Sequence, residues 1–579
     1  MAEERTLPIP GEQREFTVKV DGEVVKRVHQ LLSVSIVKVA DKISSAKLVF
    51  LDGSVAQSSF ELSNSGLLTP GKEIEILSGA ANNPVSLFKG IVIQQSIKVR
   101  DNTAPQLVAE CRHKAVKMTI GRKNAYYFDQ SDSDIISTLL GNASLSGDAE
   151  STKVTHKQLV QYYSTDWDFM LTRAQANGKM VFTNDDTVTV KKPSLTGTSV
   201  CTLLFGATLL EMDAEIDSRS QYSAVTSVAW DPSQQALIEK NGADPGTCAP
   251  GNLASSDLAA VAGPDHFHLQ QNAIVETEAQ AWADATWLKS KQSQVSGRMK
   301  CEGIATVNPG DLVTIAGIGD AYNGDVLVTG VRQSFDLVEG WKTHIQFGNT
   351  NDWLAEANTV SAPKAGALLP GINGLQIGVV VSNEDPDGEH RVRVKMPMVD
   401  FAQDGIWARV ASLDAGDQRG FFFRPEVGDE VILGFLDDDP RQAVILGMLH
   451  SSAKAAPLTG SDDNHEKMYK SRSGMKLYFN DDTKIIRLET PAGKIIALDE
   501  DAGELKLIDE NENKIVMNSD GILIQSNGKI EIKATQDLKM SGMNIESKAQ
   551  AAFKAEGSAS AEVKASGTLT LKGAMVQIN

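Results

Sequence analysis

Four short constellations in this chain contain residue types that can do chemistry. His266-Phe267-His268 would put two imidazoles on one face of a strand, as a metal site would want, but no third ligand stands nearby. Ordinary surface histidines are the plainer reading. Asp437-Asp438-Asp439 has the acidity of a divalent-cation loop without the spacing that wraps ligands around the ion, so a solvated turn before Pro440 is expected. Asp166 and Asp168 flank Trp167, where paired carboxylates could act as acid and base. At a helix start the same two carboxylates serve the macrodipole instead. Gly317-Ile318-Gly319 lacks GxGxxG spacing and lies beside strands, so it does not read as a dinucleotide loop. The sequence thus predicts no catalytic residue, no cofactor or cofactor-binding residue and no metal site.

The elements that would position these groups are mostly strands. In the first 350 residues the alternating runs are Glu15–Val20, Val34–Val39, Ser45–Leu51, Glu73–Leu77, Phe88–Ser96, Leu107–Arg112, Tyr222–Trp230, Leu312–Ala316, Asp325–Phe335 and Trp341–Phe347. They would supply two barrels or sandwiches with a mixed segment between them. There, Thr165 with Asp168 predicts a capping box, and Trp167, Met170, Leu171 and Ala174 recur at helical spacing before Gly178. Ser131 to Gly141 predicts a second helix, and Thr277–Lys289 a third with Ala281, Trp282, Ala285 and Leu288 on one face. Residues 354–373 and 451–465 lack periodicity and read as linkers. Between them, short runs at Ile377–Ser382, Arg391–Met396, Trp407–Ala411, Gly420–Arg424, Glu430–Phe435 and Ala443–Leu446 predict a small barrel.

From Tyr469 onward the chain is a column of short strands. Apolar centres are expected at Ile485, Ile495, Leu505 and Ile515, then at Ile522, Ile530, Leu538, Ile545, Phe553, Ala561, Leu569 and Val576, so the step is ten residues and then seven or eight. Lys529-Ile530-Glu531-Ile532-Lys533 and Thr568-Leu569-Thr570-Leu571-Lys572 alternate, giving one apolar and one polar face. A five-residue strand offers few apolar groups to a core, so one chain closes such a column poorly while three wound together close it well. With about 4.8 Å per strand, twelve strands make a rod of roughly 50–60 Å. The residues expected on the shared axis are Ile515, Ile522, Ile530, Ile532, Leu538, Phe553, Leu569 and Leu571. A single-chain solenoid and a β-rich adhesive stalk remain open at this point.

The net charge of −19 over 579 residues, with no basic stripe, argues against nucleic acid as a partner. No run approaches 18 apolar residues, so no bilayer span is expected, and Met1-Ala2-Glu3-Glu4-Arg5 does not open like a secretory signal. Cys111, Cys201, Cys248 and Cys301 are scattered and read as reduced, buried thiols of a protein made in the cytoplasm.

Several stretches resemble a known family. Asn383-Glu384-Asp385-Pro386-Asp387-Gly388 with Arg391-Val392-Arg393-Val394 and Pro397, then Trp407-Ala408-Arg409-Val410, the run from Arg419 to Val431, Asp439-Pro440-Arg441 and Val444-Ile445-Leu446-Gly447 resemble the OB-fold of VgrG-type spike proteins of contractile injection systems. Gln161 to Phe169, Pro309-Gly310-Asp311-Leu312-Val313 and Tyr322-Asn323-Gly324 resemble the hub region of the same proteins and of phage tail hubs. Lys47 to Gly53 and Gly121 to Gln130 look most like spikes of extracellular, phage-tail-like particles, with type VI secretion next.

The resemblance implies a mainly β fold: a two-barrel tail-hub region at 1–355 with a mixed segment at about 111–205, a linker at 356–373, an OB-fold collar at 374–452, a linker at 453–468 and an intertwined trimeric β-helix, or β-prism, at 469–579. It implies a homotrimer that caps a hexameric inner tube, touches baseplate proteins and punctures an envelope when a sheath contracts. Ala574, Met575, Val576, Gln577, Ile578 and Asn579 would bind a PAAR-type tip protein. Effector cargo is left open; nucleic acid and stable membrane insertion are not expected. The implied site of assembly is the bacterial cytoplasm. A grafted enzyme is not expected, since only about fifteen linker-like residues separate Leu449 from Lys467 and the last strand meets the final residue. A trimeric receptor-binding tailspike or adhesin, and a hub concealing a hydrolase, are the alternatives.

Overall fold

The computed structural model describes residues 15–578 apart from 80–83, 195, 247–248, 263–266, 272–273 and 358–359. His266, Cys248 and Asn579 lie outside the described residues. The chain forms two compact units, one of residues 1–373 with 435–442 and one of 374–434 with 443–579.

In the first unit, alternation along the strands decides the core. Along Ser45–Leu51, Ala46, Leu48 and Phe50 turn inward while Ser45, Lys47 and Val49 face the other way. One ladder runs through Leu209–Ile216, Val295–Glu302, Gly340–Phe347, Gly324–Asp336, Leu31–Val39, Ser45–Leu51, Thr103–Arg112, Val85–Arg100, Glu73–Gly79, Glu15–Val20 and Glu23–Val24. It carries two cores. Ile36, Leu48, Phe50, Ile76, Phe88 and Leu107 make one, and Leu203, Met299, Val313, Val328, Ile345 and Phe347 the other. Gly324–Asp336 joins them because it pairs with Gly340–Phe347 on one edge and Leu31–Val39 on the other. Such a strand must be apolar on both faces, and residues 326–331 are all buried.

The mixed segment places helices Asp132–Asn142 and Asp166–Ala176 beside the antiparallel pair of Lys123–Ser131 with Thr155–Ser164. Ser131 and Asp134 complete a capping box. At Thr165 the hydroxyl accepts from the Asp168 amide at 3.0 Å and donates to the Asp168 carboxylate at 2.8 Å. Trp167, Met170, Leu171 and Ala174 are buried as their spacing predicts, and Gly178 ends the turn at φ +64°. The third helix, Glu276–Gln292, departs from the single face expected. Ala285 and Leu288 are buried, Ala281 and Trp282 only partly, and Ala279, Ala283, Thr286 and Ser290 bury a second side. That side is small because Tyr222 and Val225 pack on it, and Gly242 approaches the Ala283 carbonyl closely.

In the second unit, Gln376–Ser382, Val392–Lys395, Ile406–Val410, Ala443–Met448 and Glu430–Phe435 form a closed barrel around Val380, Val392, Val394, Ala408, Val431, Leu433 and Ile445. Gly405, at φ +78°, lies so near the Val394 carbonyl that a Cβ would fall 1.9 Å from it, so only glycine fits. The strand expected at Gly420–Arg424 is corrected. Ile406–Val410 pairs directly with Ala443–Met448, which fills that place in the barrel, and residues 421–424 leave it as an arm. Three consecutive phenylalanines cannot alternate between core and solvent.

The column of strands also differs from expectation. Glu466–Lys470, Lys476–Asn480, Ile485–Glu489, Ile495–Asp499, Glu504–Ile508, Lys514–Asn518 and Gly521–Gln525 pair consecutively and antiparallel within one chain. Pairing between chains from Tyr469 onward is therefore corrected for this stretch. A step near ten residues leaves four or five for a reversing turn, as at 471–475 and 481–484, so the chain meets itself first. Among the described residues after Gln525 no strand is assigned. Among the described residues, no helix is long and apolar enough to cross a membrane.

His113 gives the first unit a pH dependence. Its Nδ1 accepts from the Ala115 amide at 3.0 Å, and burial pushes the imidazole down to about 4. The folded value lies below the unfolded one of about 6.5, so stability is full above pH 6.5 and declines as pH falls toward 4. Thermal unfolding should show the first unit's melting temperature falling over that window, with a smaller fall in His113→Gln.

Candidate assembly surface

Direct pairing sets which side chains of the meander share a face. Tyr469, Leu477, Leu488, Ile496, Leu507, Ile515 and Ile524 oppose one another in one row across the strands. Phe479, Ile486, Leu498, Leu505, Met517 and Ile522 make a parallel row on the same face. Apart from Lys467, which opposes Phe479, this face is apolar, and it is bare in the single chain, with Leu488, Ile496 and Leu498 close to half exposed. A trough of about 790 Å³ runs along the first row and reaches Ile530. The opposite face is mixed and carries ion pairs such as Lys476 with Glu489 at 3.2 Å and Arg487 with Glu489 at 3.0 Å.

Of the axis residues named from sequence, Ile515 and Ile522 lie on the bare face. Ile530, Ile532, Leu538, Phe553, Leu569 and Leu571 are 52–72% exposed, and Ala574, Met575, Val576, Gln577 and Ile578 are exposed too. The centres assigned to Ile485 and Ile495 are corrected. Each opens its strand on the mixed face, while Ile486 and Ile496 occupy the bare one. Both positions are isoleucine doublets, Ile485-Ile486 and Ile495-Ile496, so apolarity at one position could not decide the parity. Scoring both parities across the strands would have found Leu488, Leu498, Leu507 and Ile524, which the sequence reading missed.

The chemically suggestive groups of the first unit are held in structural networks. Asp132 is fully buried and accepts from Arg173 at 2.6 and 3.1 Å and from Asn177 at 2.8 Å, with His156 Nε2 at 3.1 Å. Burial alone would raise its carboxyl, but the hydrogen bonds from His156 and Arg173 outweigh it and hold it well below the usual range. So engaged, it is a poor proton acceptor near neutrality. Arg173 also reaches Glu278 at 3.2 Å, tying two helices together. Asp166 takes Lys123 at 2.5 Å and Gln161 at 3.0 Å, and Gln161 accepts from Tyr127 at 3.0 Å. The Asp166 and Asp168 side chains thus anchor and cap the helix start instead of facing each other.

The remaining motifs resolve similarly. His268 is exposed on Phe267–Gln271. Gly317 and Gly319 adopt positive φ in a turn closed by the Ile318 amide on Asn323. Asp439 forms a fork with Arg441 at 3.0 and 2.7 Å. Among the described residues, no group of three or more His, Cys, Asp or Glu is arranged to hold a metal. Burial pushes the Cys111 and Cys301 thiols up to about 12 and Cys201 to about 11, and all three are free.

With its closed five-stranded barrel and the strand column that follows, the chain is similar to VgrG-type spike proteins. The chain belongs to the family of the Alg8 N-terminal domain, whose model matches residues 11–336, and residues 376–450 match the type VI secretion system/phage-baseplate injector OB domain. It is 30% identical over 133 residues to the actin cross-linking toxin VgrG1 of Vibrio cholerae, covering 22% of this chain and 12% of that protein. It is 27% identical over 222 residues to the type VI secretion system spike protein VgrG1b of Pseudomonas aeruginosa, covering 36% and 29%. These matches thus span less than a third of either relative. Among solved structures, the 43 kDa tail protein of prophage MuSo2 from Shewanella oneidensis aligns with a TM-score of 0.44 at 12% identity over 58% of this chain and 99% of that one. The E. coli c3393 protein, a component of the type VI secretion system, aligns with a TM-score of 0.38 at 13% identity over 75% and 99%.

Asp132→Ala would leave Arg173 with Glu278 as its carboxylate partner and take the acceptor away from His156 Nε2 in a buried network. The first unit should lose about 3–5 kcal/mol in denaturant unfolding at pH 7. Because the carboxyl is depressed in the fold, the difference between variant and parent should shrink as pH falls below about 4.

Proposed function

We propose that this chain is the homotrimeric spike of a contractile injection apparatus, acting mechanically and without an enzymatic activity of its own. The observation that carries this reading is the bare apolar face of 466–525, followed by exposed alternating apolar residues from Ile530 to Ile578. Three copies of that face would enclose a dry interior, and three copies of the segment after Gln525 would give one another the backbone partners that a strand requires. Interchain ladders resist lateral bending and leave few open edges, which suits a shaft that carries axial thrust.

On this reading the hub seats on a hexameric inner tube and baseplate proteins, and sheath contraction drives the needle through the target envelope. Ala574 to Ile578, with Asn579, would offer an open prism end to a PAAR-type tip protein, and effectors could travel on the same spike. Assembly would take place in the bacterial cytoplasm before the particle acts outside it. The family and OB-domain matches and the spike names of the relatives support this reading.

Native mass spectrometry of the full chain should give a trimer, and removal of residues 466–579 should abolish it; a monomeric full chain would overturn the proposal. Ile530→Asp or Leu569→Asp should shift the trimer to monomer, since three carboxylates would converge on one apolar axis. Deleting Gly567–Asn579 should abolish capture of a PAAR-type protein in a pull-down while leaving the hub's melting transition in place.

A further inference from the structure

The arm that leaves the barrel after Val410 carries Phe421, Phe422 and Phe423 in succession, each more than half exposed. Its base is firm. Ala415–Gly416 pairs with Arg419–Gly420, the Phe421 amide donates to Asp414 O at 2.9 Å, and Ser412 Oγ donates to Phe421 O at 2.8 Å. Past that base the rings divide. Phe421 and Phe423 lie 5.9 Å apart on one side, and Phe423 meets Tyr469 edge-on at 5.0 Å. Phe422 is paired instead with Arg424, whose guanidinium lies 5.6 Å from its ring.

Tyr469 opposes Leu477 and so belongs to the bare face of the meander. Phe421, Phe423, Tyr469 and Leu477 therefore form one apolar stripe that carries this face onto the barrel. A single flat partner would cover one side of the arm and leave the other wet. A ring of identical copies covers both, because each arm then stands between its own strands and its neighbour's. We infer that these three phenylalanines form an aromatic collar between copies of this chain: Phe421 and Phe423 close the barrel end of the shared apolar interior, and Phe422 packs on the adjacent copy. The inference rests on the trimer proposed above and names a contact that a trimer does not by itself require.

The test uses the full chain. Phe422→p-benzoylphenylalanine, illuminated after native mass confirms the trimer, should give covalent chain dimers and trimers with adducts on a neighbouring copy's barrel or arm. A trimer whose adducts all stay within one chain would overturn the collar and leave the trimer standing; a monomer would overturn both. The double variant Phe421→Ser, Phe423→Ser should dissociate at a protein concentration at least tenfold higher than the parent, and equal dissociation would count against the collar. Flotation of the trimer with phosphatidylglycerol vesicles that is lost in this double variant, without interchain adducts, would make the arm a lipid contact and overturn it as well.

Discussion

The constraint on which this molecule turns is that its C-terminal strands have more apolar surface and more backbone donors and acceptors than one chain can satisfy. From Glu466 to Gln525 the chain solves half of the problem, since each strand has a neighbour on its own chain. What it cannot solve is the face. Two rows of aliphatic and aromatic side chains line one side of a sheet only one layer deep, and a single layer has no second side chain set to cover them. Backbone satisfaction and face burial are therefore separate requirements here, met at different levels of assembly.

The change of step along the column follows the same division. With a strand of five residues, a period near ten permits a loop that turns the chain back on itself, and the antiparallel meander results. The shorter period after Gln525 accompanies the disappearance of intrachain strands among the described residues. In the proposed trimer the meander would act as a transition piece, internally paired like the barrel and externally dependent like the needle.

The first unit has the opposite economy. Its ladder closes two cores, and two of its buried carboxylates are neutralised within the chain, Asp132 by Arg173 and Asp166 by Lys123. A buried ion network of this kind fixes the orientation of two helices against the strand pair that carries Tyr127 and Gln161, at the expense of desolvation. The groups that look reactive in sequence are thus consumed by positioning. Asp166 is engaged by Lys123 and Gln161, Asp168 by Thr165 and Asp439 by Arg441, so these carboxylates do not gather into a site.

Local patterning determined much of this protein unaided. Alternation was enough to place most hub strands and the five barrel strands, and Ser or Thr three residues before Asp was enough to start two helices, because these signals depend on neighbours in sequence. The family resemblance, carried by residues near Asp385, Arg391 and Pro425, was also readable from order and spacing. Tertiary structure alone decided which of two adjacent isoleucines faces the bare side, since parity is set by pairing with a distant strand. It alone sent Phe421 to Phe423 out of the barrel, because Ala443–Met448 had already taken the edge of Ile406–Val410. It also made Gly324–Asp336 the joint between two cores, a role fixed by partners nearly three hundred residues apart in sequence. Periodicity says that a residue has an apolar side; only the partner strand says which space that side faces.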